Sequence, residues 1–267
     1  MKLATYGDGS RDGQLLVVAR DLGSAHYAAG IATRLQQVLD DWNFIAPQLQ
    51  DLYERMNAGK ARHAFPFEPR RCAAPLPRAY QFVGGPSHDA AGPAAGQDAG
   101  ASLQQCASDD LLGPCDDLGP AGGVVEPEIA VVTGDLRRGC APEAALEGVR
   151  LLMLAAGADR RAAIAFAPLA LTPDEAGAAW RGGRLHAELC MDANGRTVRH
   201  DTGTGMRVDF GGLLARVCAS RNLRAGSIVG SGPVVAAEAV RIEAVDADGR
   251  SLFGAIEPGL AVRTDAT

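Results

Sequence analysis

The stretch of residues 84–123 does most to constrain this fold, because Gly, Ala, Pro, Asp and Ser dominate it. Such side chains form almost no packed face, so we predict a mobile or disordered loop that is either a lid or a lost element. So long an insert is unusual inside a compact domain. The stretch divides the chain into a small N-terminal α+β domain at 1–70, a linker and loop at 71–123, and a larger domain at 124–267.

The composition excludes several classes of protein. The formal net charge of −6 argues against a general nucleic-acid binder, which usually carries a basic surface. No apolar run is long enough to span a bilayer, and no apolar segment follows the N-terminus as in a signal peptide. We therefore predict a cytoplasmic protein without membrane or nucleic-acid partners. None of the six cysteines forms a C-x-x-C pair, so we expect free thiols rather than a zinc site.

Hydrophobic spacing predicts helices in both halves of the chain. One helix is expected over residues 31–42, and a second is expected to open at Pro47 and to stop at 57–59. A third is expected to open at Pro142 and to present an apolar face that reaches Met153. Further helices are predicted from the capping box at 172–175 towards Trp180 and through residues 213–218.

The second half also carries strand and turn signals. An apolar strand is expected over residues 124–132, and hairpin turns are expected at Asn194-Gly195 and at Asp248-Gly249. Strands joined by hairpins and separated by single helices favour an α+β domain with largely antiparallel sheets.

Glu126 and Glu128 stand one residue apart at the head of that apolar strand. In an extended strand, positions i and i+2 project from the same face. Two oxygen donors on one face suit a magnesium-type cation, which takes few carboxylates and keeps several waters. The alternative is that both glutamates simply lie on a solvated face of the strand.

Several motifs along the chain resemble the fumarylacetoacetate hydrolase family, in particular its bacterial members with a small N-terminal domain. They occur in the family's order over most of the chain, and together they are specific although no single one is. The segments that carry the resemblance are 2–5, 8–13, 39–42, 64–67, 74–81, 112–114, 171–175, 225–232 and 252–256.

The resemblance implies a β-roll of packed mixed sheets, which is usually dimeric. It also implies a divalent metal, Mg²⁺ or Mn²⁺, held by an E-x-E pair and a downstream aspartate. Family members cleave or rearrange carbon–carbon bonds in diketo acids and oxo acids. A His–Glu pair on a lid activates water, and a lysine helps to hold the substrate. This chemistry polarises a dicarbonyl and adds base-activated water.

By this resemblance, Glu126 and Glu128 map onto the E-x-E pair, with Pro127 between them as a departure. The family's aspartate falls on Gly157, and Asp159 could replace it only after a shift of the backbone. The segment that bears the family's lysine is missing between 163 and 169, and no lysine follows Lys60.

The remaining candidate residues come from the loop and from the last motif. His88 is the candidate base, although Ala91 stands where the family's glutamate is wanted and an incidental loop histidine is the alternative. Ser231 and Gly232 are the candidate substrate-binding residues, because this segment lies near the substrate in the family.

Three hypotheses follow from these residues. The first is metal-assisted hydrolysis of a diketo acid or acylpyruvate-like substrate by a homodimer, at an impaired rate. The second is a catalytically silent homologue that acts as a binding or structural dimer. The third is a damaged or artificially shortened chain, which the sequence alone does not separate from natural decay.

Overall fold

A large mixed β-sheet forms the framework of the protein. The computed structural model describes residues 1–85, 87–88, 103–118, 124–158, 163–193 and 195–259. Within these residues the strands in chain order are β1 (Lys2–Tyr6), β2 (Gln14–Val18), β3 (Ser24–Tyr27), β4 (Phe65–Pro66), β5 (Phe82–Gly84), β6 (Gln104–Cys106), β7 (Val124–Thr133), β8 (Val149–Gly157), β9 (Ile164–Phe166), β10 (Leu169–Leu171), β11 (Trp180–Arg181), β12 (Arg184–Leu185), β13 (Glu188–Ala193), β14 (Arg196–Asp201), β15 (Ile228–Gly230), β16 (Ala237–Glu238), β17 (Arg241–Val245) and β18 (Ser251–Ile256).

Four α-helices accompany the strands in the described part of the chain. They are α1 (Leu35–Asp40), α2 (Trp42–Asn57), α3 (Pro142–Glu147) and α4 (Phe210–Val217). None of the helices in these ranges is long and apolar enough to cross a membrane. None of the six cysteines, all of which lie in the described residues, forms a disulfide, as predicted.

The large sheet runs in the order β4-β3-β2-β1-β10-β8-β7-β15-β5-β6, with β16 beside β7 and β9 beside β8. Strand β15 is parallel to β5, whereas β7 and β8 are antiparallel, so the sheet is mixed. A four-stranded sheet, in the order β14-β13-β17-β18, and the small pair β11-β12 complete the described strands. This arrangement agrees with the predicted α+β class.

The central pair of strands, β7 and β8, separates two hydrophobic cores. On β7, Ile129 and Val131 belong to a cluster that includes Phe210 of α4, whereas Ala130 and Val132 belong to a cluster that includes Leu49 of α2. Both faces are covered, which explains why these strands read as continuous apolar runs rather than as an alternating pattern.

The N-terminal strands and the later strands share one sheet. Strand β1 pairs with β10, and Leu3 lies opposite Ala170. The proposed division into segments 1–70, 71–123 and 124–267 remains a prediction, since a shared sheet does not locate a domain boundary.

The predicted loop is wrong for residues 103–118, which pack against the sheet. Strand β6 pairs with β5, with Gln105 opposite Val83, and both Cys106 and Leu111 are buried. Backbone hydrogen bonds to a sheet edge do not depend on large side chains, so composition understated the order of this segment. Residues 86, 89–102 and 119–123, which belong to the same prediction, lie outside the described residues.

Several of the predicted helices differ from the structure in their bounds. Helix α1 ends at Asp40, and α2 begins at Trp42, so Pro47 lies inside α2 rather than at its start. Helix α3 begins at Pro142 as predicted but ends at Glu147, and the apolar residues beyond Gly148 form β8. Pairing with β7 accounts for this change, because it places those residues at the centre of a sheet whose two faces are covered by the two hydrophobic clusters.

The helix predicted from the capping box is absent from the described residues 172–180. Thr172 and Glu175 form a turn, which leads into a short 3₁₀ segment at Gly177–Ala179. The Glu175 carboxylate does not cap a helix but accepts hydrogen bonds from Tyr53 and Arg20. The hairpin turns are placed as predicted, because β13 pairs with β14 and β17 with β18, although Asn194 itself lies outside the described residues.

Candidate functional site

Glu126 and Glu128 project from the same face of β7, as their spacing predicts. Glu126 lies opposite Gly157 on β8, and Glu128 lies opposite Ala155. Glu126 is half-buried, and Glu128 is only 4% exposed. A carboxylate as buried as that of Glu128 needs hydrogen bonds or a cation to offset its lost hydration.

One such hydrogen bond comes from the backbone that follows β15. Gly232 donates its N–H to Glu128 Oε2 at 2.8 Å. The segment is anchored to β7 on both sides of that contact, because Ser231 donates to the Ile129 carbonyl at 2.8 Å and Val234 donates to the Pro127 carbonyl at 2.9 Å. The Glu128 carboxylate is therefore held by a fixed part of the backbone.

Pro127 is accommodated inside β7 although this strand is not at an edge of the sheet. In antiparallel pairing the N–H and C=O of one residue point towards the same neighbour. The Pro127 carbonyl faces the segment between β15 and β16, so its ring nitrogen faces the place where those two strands are interrupted. The missing N–H of Pro127 is tolerated there because neither β15 nor β16 pairs with β7 at this residue.

The two glutamates line a small cleft together with Gly157, Ile164 and Pro233. The cleft has a volume of about 10 Å³, which is close to the space that one water molecule needs. Gly157, on the neighbouring strand β8, lies directly opposite Glu126. This is the position where the family resemblance places a third carboxylate. Asp159, the predicted substitute, lies outside the described residues.

The described side chains only partly complete a metal centre. No group of three His, Cys, Asp or Glu residues suited to a metal ion occurs in the described part of the chain. Magnesium-type ions are nevertheless bound through one or two carboxylates, with water filling the other positions. The Glu126–Glu128 pair therefore fits a weakly held divalent cation.

His88 lies at the end of the segment that runs beside Ser231. Ser87 donates its N–H to the Ser231 carbonyl at 2.9 Å, and its hydroxyl contacts the same oxygen. The His88 ring contacts a different segment, with its Nε2 at 3.1 Å from the Thr202 carbonyl oxygen. A carbonyl only accepts hydrogen bonds, so Nε2 carries the proton in the neutral ring and Nδ1 is the basic nitrogen. Ala91 lies outside the described residues.

Ser231 is almost fully buried, and its hydroxyl donates to the Gly232 carbonyl at 2.8 Å. The structure thus brings Glu126, Glu128, Ser231 and Gly232 together, with His88 one residue beyond the Ser87 contact. Sequence reasoning missed Gly230, which packs directly under the Glu128 carboxylate. The Gly-Ser-Gly spacing of residues 230–232 was the available signal, because a first glycine in such a segment indicates a close approach.

Comparisons with known proteins agree with the family resemblance found in the sequence. Residues 1–78 match a family model described as fumarylacetoacetase N-terminal domain 2. No curated protein matches the sequence.

Several solved structures share the fold over nearly the whole chain. Maleylpyruvate hydrolase from Sphingobium sp. SYK-6, determined in complex with manganese(II) ion and pyruvate, is 18% identical and covers 97% of this chain and 98% of its own, with a TM-score of 0.71. Fumarylacetoacetate hydrolase from Exiguobacterium antarcticum is 18% identical and covers 98% and 100%, with a TM-score of 0.66. A 2-hydroxyhepta-2,4-diene-1,7-dioate isomerase from Mycobacterium marinum is 13% identical and covers 99% and 100%, with a TM-score of 0.62. These matches confirm the fold class and the resemblance predicted from the sequence.

Proposed function

We propose that this chain is a member of the fumarylacetoacetate hydrolase family that hydrolyses a carbon–carbon bond in an acylpyruvate-like or diketo acid. The match of residues 1–78 to an N-terminal domain model of that family and the shared fold support the proposal. The reaction depends on Mg²⁺ or Mn²⁺ and runs below the rate of a complete family member. The proposal includes a cytoplasmic homodimer as the active form.

One observation carries the proposal: Glu126 and Glu128 share one strand face and line one cleft. Solved structures with this fold include a hydrolase and an isomerase of related acids, and one of them holds manganese and pyruvate. A divalent cation bound there would polarise the substrate's carbonyl groups as a Lewis acid.

The residues of this chain take distinct roles in the proposal. Glu126 and Glu128 bind the cation, and the Gly232 N–H fixes the direction of the Glu128 carboxylate. His88 takes a proton from water at Nδ1, because Nε2 is directed at the Thr202 carbonyl. Ser231 and Gly232 form the wall beside the acidic end of the substrate, and Asp159 is the proposed third ligand.

A reduced rate follows from two replacements in the proposed site. Gly157 offers no carboxylate opposite Glu126, so the cation lacks a ligand at the position where the family resemblance places one. No lysine follows Lys60, so the family's cationic clamp on the substrate is missing from this sequence. Loss of one transition-state donor alone costs about 10²–10³ in rate.

The same two replacements favour a second candidate function, a catalytically silent homologue. Such a protein keeps the fold and the dimer and binds a partner or a ligand without turnover. It differs from the enzyme in its response to metal and to substrate.

Thermal melting with Mg²⁺ or Mn²⁺ tests the metal site. A cation at about 100 times its Kd should stabilise the folded chain by about 2.7 kcal/mol. The variant Glu126→Gln should abolish this response, whereas Glu143→Gln, an exposed glutamate at the start of α3, should leave it intact. A response that survives in Glu126→Gln overturns the ligand role.

Release of pyruvate from a short acylpyruvate tests the reaction. The proposed enzyme releases it only with the metal and loses it in Glu126→Gln. A chain that melts cooperatively as a defined dimer but shows neither the metal response nor release of pyruvate is the silent homologue. Light scattering after gel filtration reports the mass of the species, and a monomer that is fully active contradicts the proposed dimer.

A further inference from the structure

A second cavity lies between α1 and the segment 76–80, and it has no lining residue in common with the glutamate cleft. Its volume is about 440 Å³, within the range of about 300–1,000 Å³ that is typical of small-ligand pockets. Its lining includes Arg34, Leu35, Leu76 and Tyr80.

Two arginines converge on one aspartate at the edge of this cavity. Arg78 binds Asp12 through two hydrogen bonds, with Nε at 2.6 Å from Oδ1 and Nη2 at 2.8 Å from Oδ2. Arg34 Nη1 lies 3.5 Å from the same carboxylate. Arg34, Arg78 and Asp12 together therefore carry one net positive charge.

The pair with Asp12 fixes the orientation of the Arg78 guanidinium. A guanidinium is a planar fork with five N–H donors, and it can bind one carboxylate on each of two edges. Asp12 occupies the edge formed by Nε and Nη2, which leaves the edge formed by Nη1 and Nη2 for a second carboxylate. Arg78 lines the cavity and its side chain is about half exposed, so the guanidinium is accessible to a ligand.

The rest of the lining is largely apolar. Leu35 and Leu76 are buried beneath the cavity, while the Tyr80 ring is 68% exposed beside it. An exposed aromatic ring at the rim of a cavity supplies a large contact area at a small cost in conformational entropy. This combination suits a ligand with a flat apolar body.

Further acidic residues in the lining restrict the charge of the ligand. Asp40 and Asp109 also line the cavity, and Asp40 accepts a hydrogen bond from Gln36 at 2.7 Å. A doubly charged anion such as phosphate would meet these carboxylates, because like charges repel at close range. A singly charged anion can bind the two arginines with less repulsion.

From these contacts we propose that this cavity is a binding site for a small monocarboxylate with a flat apolar body. Its carboxylate binds the second edge of Arg78 and the guanidinium of Arg34, and its body lies on Leu35 and Leu76 against the Tyr80 ring. The site is separate from the proposed metal cleft and does not depend on the proposed reaction.

Isothermal titration with benzoate tests the site, without added metal. We expect saturable binding of benzoate, with acetate weaker because it lacks the apolar body and benzyl alcohol weaker because it lacks the charge. Inorganic phosphate should not displace benzoate. Absence of saturable benzoate binding, or displacement by phosphate, overturns the proposal.

Three variants locate the bound benzoate. Arg78→Lys keeps a positive charge beside Asp12 but removes the second bidentate edge, and Arg34→Gln removes the second cation, so each should weaken binding by about tenfold or more. The matched control is Arg55→Lys, since Arg55 is an exposed arginine of α2 that pairs with Asp51 outside the cavity, and it should leave the affinity unchanged. Unchanged affinity in both cavity variants, or a loss of binding in Arg55→Lys, overturns the proposal.

A further variant separates this site from the metal cleft. Glu126→Gln should leave the affinity for benzoate unchanged, and loss of binding in that variant would place benzoate in the cleft and overturn the proposal. Melting curves of every variant establish that each remains folded, and the proposed hydrolase can fail its own metal test without affecting this result.

Discussion

Gly230 makes room for the carboxylate of Glu128. A Cβ built on Gly230 would lie 2.8 Å from Glu128 Cδ and closer still to Oε2, and the three nearest heavy atoms all belong to that carboxylate. The same carboxylate accepts a hydrogen bond from the Gly232 N–H. The Gly-Ser-Gly segment therefore positions Glu128 both by a hydrogen bond and by the absence of a side chain.

Gly230→Ala should destabilise the protein by about 1–3 kcal/mol, because the new methyl group displaces a buried carboxylate. In a Glu128→Ala background the same substitution should cost much less, since the atoms that the methyl group meets have been removed. A double-mutant cycle by denaturant unfolding measures this coupling.

Gly30→Ala is the matched control for this cycle, because a Cβ at Gly30 meets no atom within 4 Å. Its effect should be the same in both backgrounds. Equal costs of Gly230→Ala with and without Glu128 would contradict the positioning role, whether or not the protein binds metal.

Gly157→Asp should strengthen binding of Mn²⁺ by at least about tenfold, equivalent to about 1.4 kcal/mol. The reason is that the new carboxylate enters the cleft opposite Glu126 and adds a further oxygen ligand. A Cβ at Gly157 would lie 3.2 Å from the Ala163 carbonyl oxygen, so a small adjustment of that segment is expected. Calorimetric titration measures the change.

Gly157→Asn separates charge from size, because it adds a side chain of similar volume without the negative charge. It should leave the metal affinity close to that of the unaltered chain. An Asp variant that binds Mn²⁺ no better than the Asn variant would contradict the assignment of this cleft as the metal site.

The sequence was sufficient to predict the parts of the fold that follow from local pattern. The strand that carries Glu126 and Glu128 has a continuous apolar run, and the turns at 194–195 and 248–249 have residues that favour positive φ. The structure contains β7 and two antiparallel hairpins at these places. The residues within such an element are enough to determine its conformation, so a single sequence is enough to identify it.

Long-range contacts account for the predictions that were wrong. The spacing of Val149 and Met153 fits a helix, but pairing with β7 places both in β8. The capping-box pattern at Thr172 and Glu175 also fits a helix, but Tyr53 and Arg20 bind the glutamate instead. In both cases the interacting residues lie far apart in the sequence, and hydrophobic periodicity describes only neighbouring residues.

The candidate site was predictable only in part, for the same reason. The shared face of Glu126 and Glu128 follows from strand geometry alone. The contacts of Gly230 and Gly232 with Glu128 join residues that are about a hundred positions apart, as the separation of 104 residues between Gly232 and Glu128 illustrates. The cavity beside Arg78 is lined by four separate segments, at residues 12, 34–40, 76–80 and 109, and nothing in their local sequence indicates that they lie together.

Glu175 joins the N-terminal strands to the later part of the sheet. Its carboxylate accepts hydrogen bonds from the Tyr53 hydroxyl at 2.6 Å and from Arg20 Nε at 3.0 Å, and its side chain is 6% exposed. Burial by itself raises the pKa of Glu175, but the hydrogen bonds from Arg20 and Tyr53 outweigh it, so the pKa lies below the ordinary value of 4.5.

The lowered pKa of Glu175 predicts a loss of stability in acid. Below pH 4.5 the unfolded chain binds this proton more readily than the folded chain, so the contribution of Glu175 is present above that pH and is lost as the pH falls through the folded-state pKa. Glu175→Gln should therefore flatten the pH dependence of the free energy of unfolding in this acid range, as measured by urea unfolding between pH 3 and pH 7. Glu68→Gln, at an exposed pair with Arg71, should leave the curve unchanged. Parallel curves for the unaltered chain and Glu175→Gln would mean that this carboxylate is equally easy to protonate in both states, which contradicts the hydrogen-bonded arrangement.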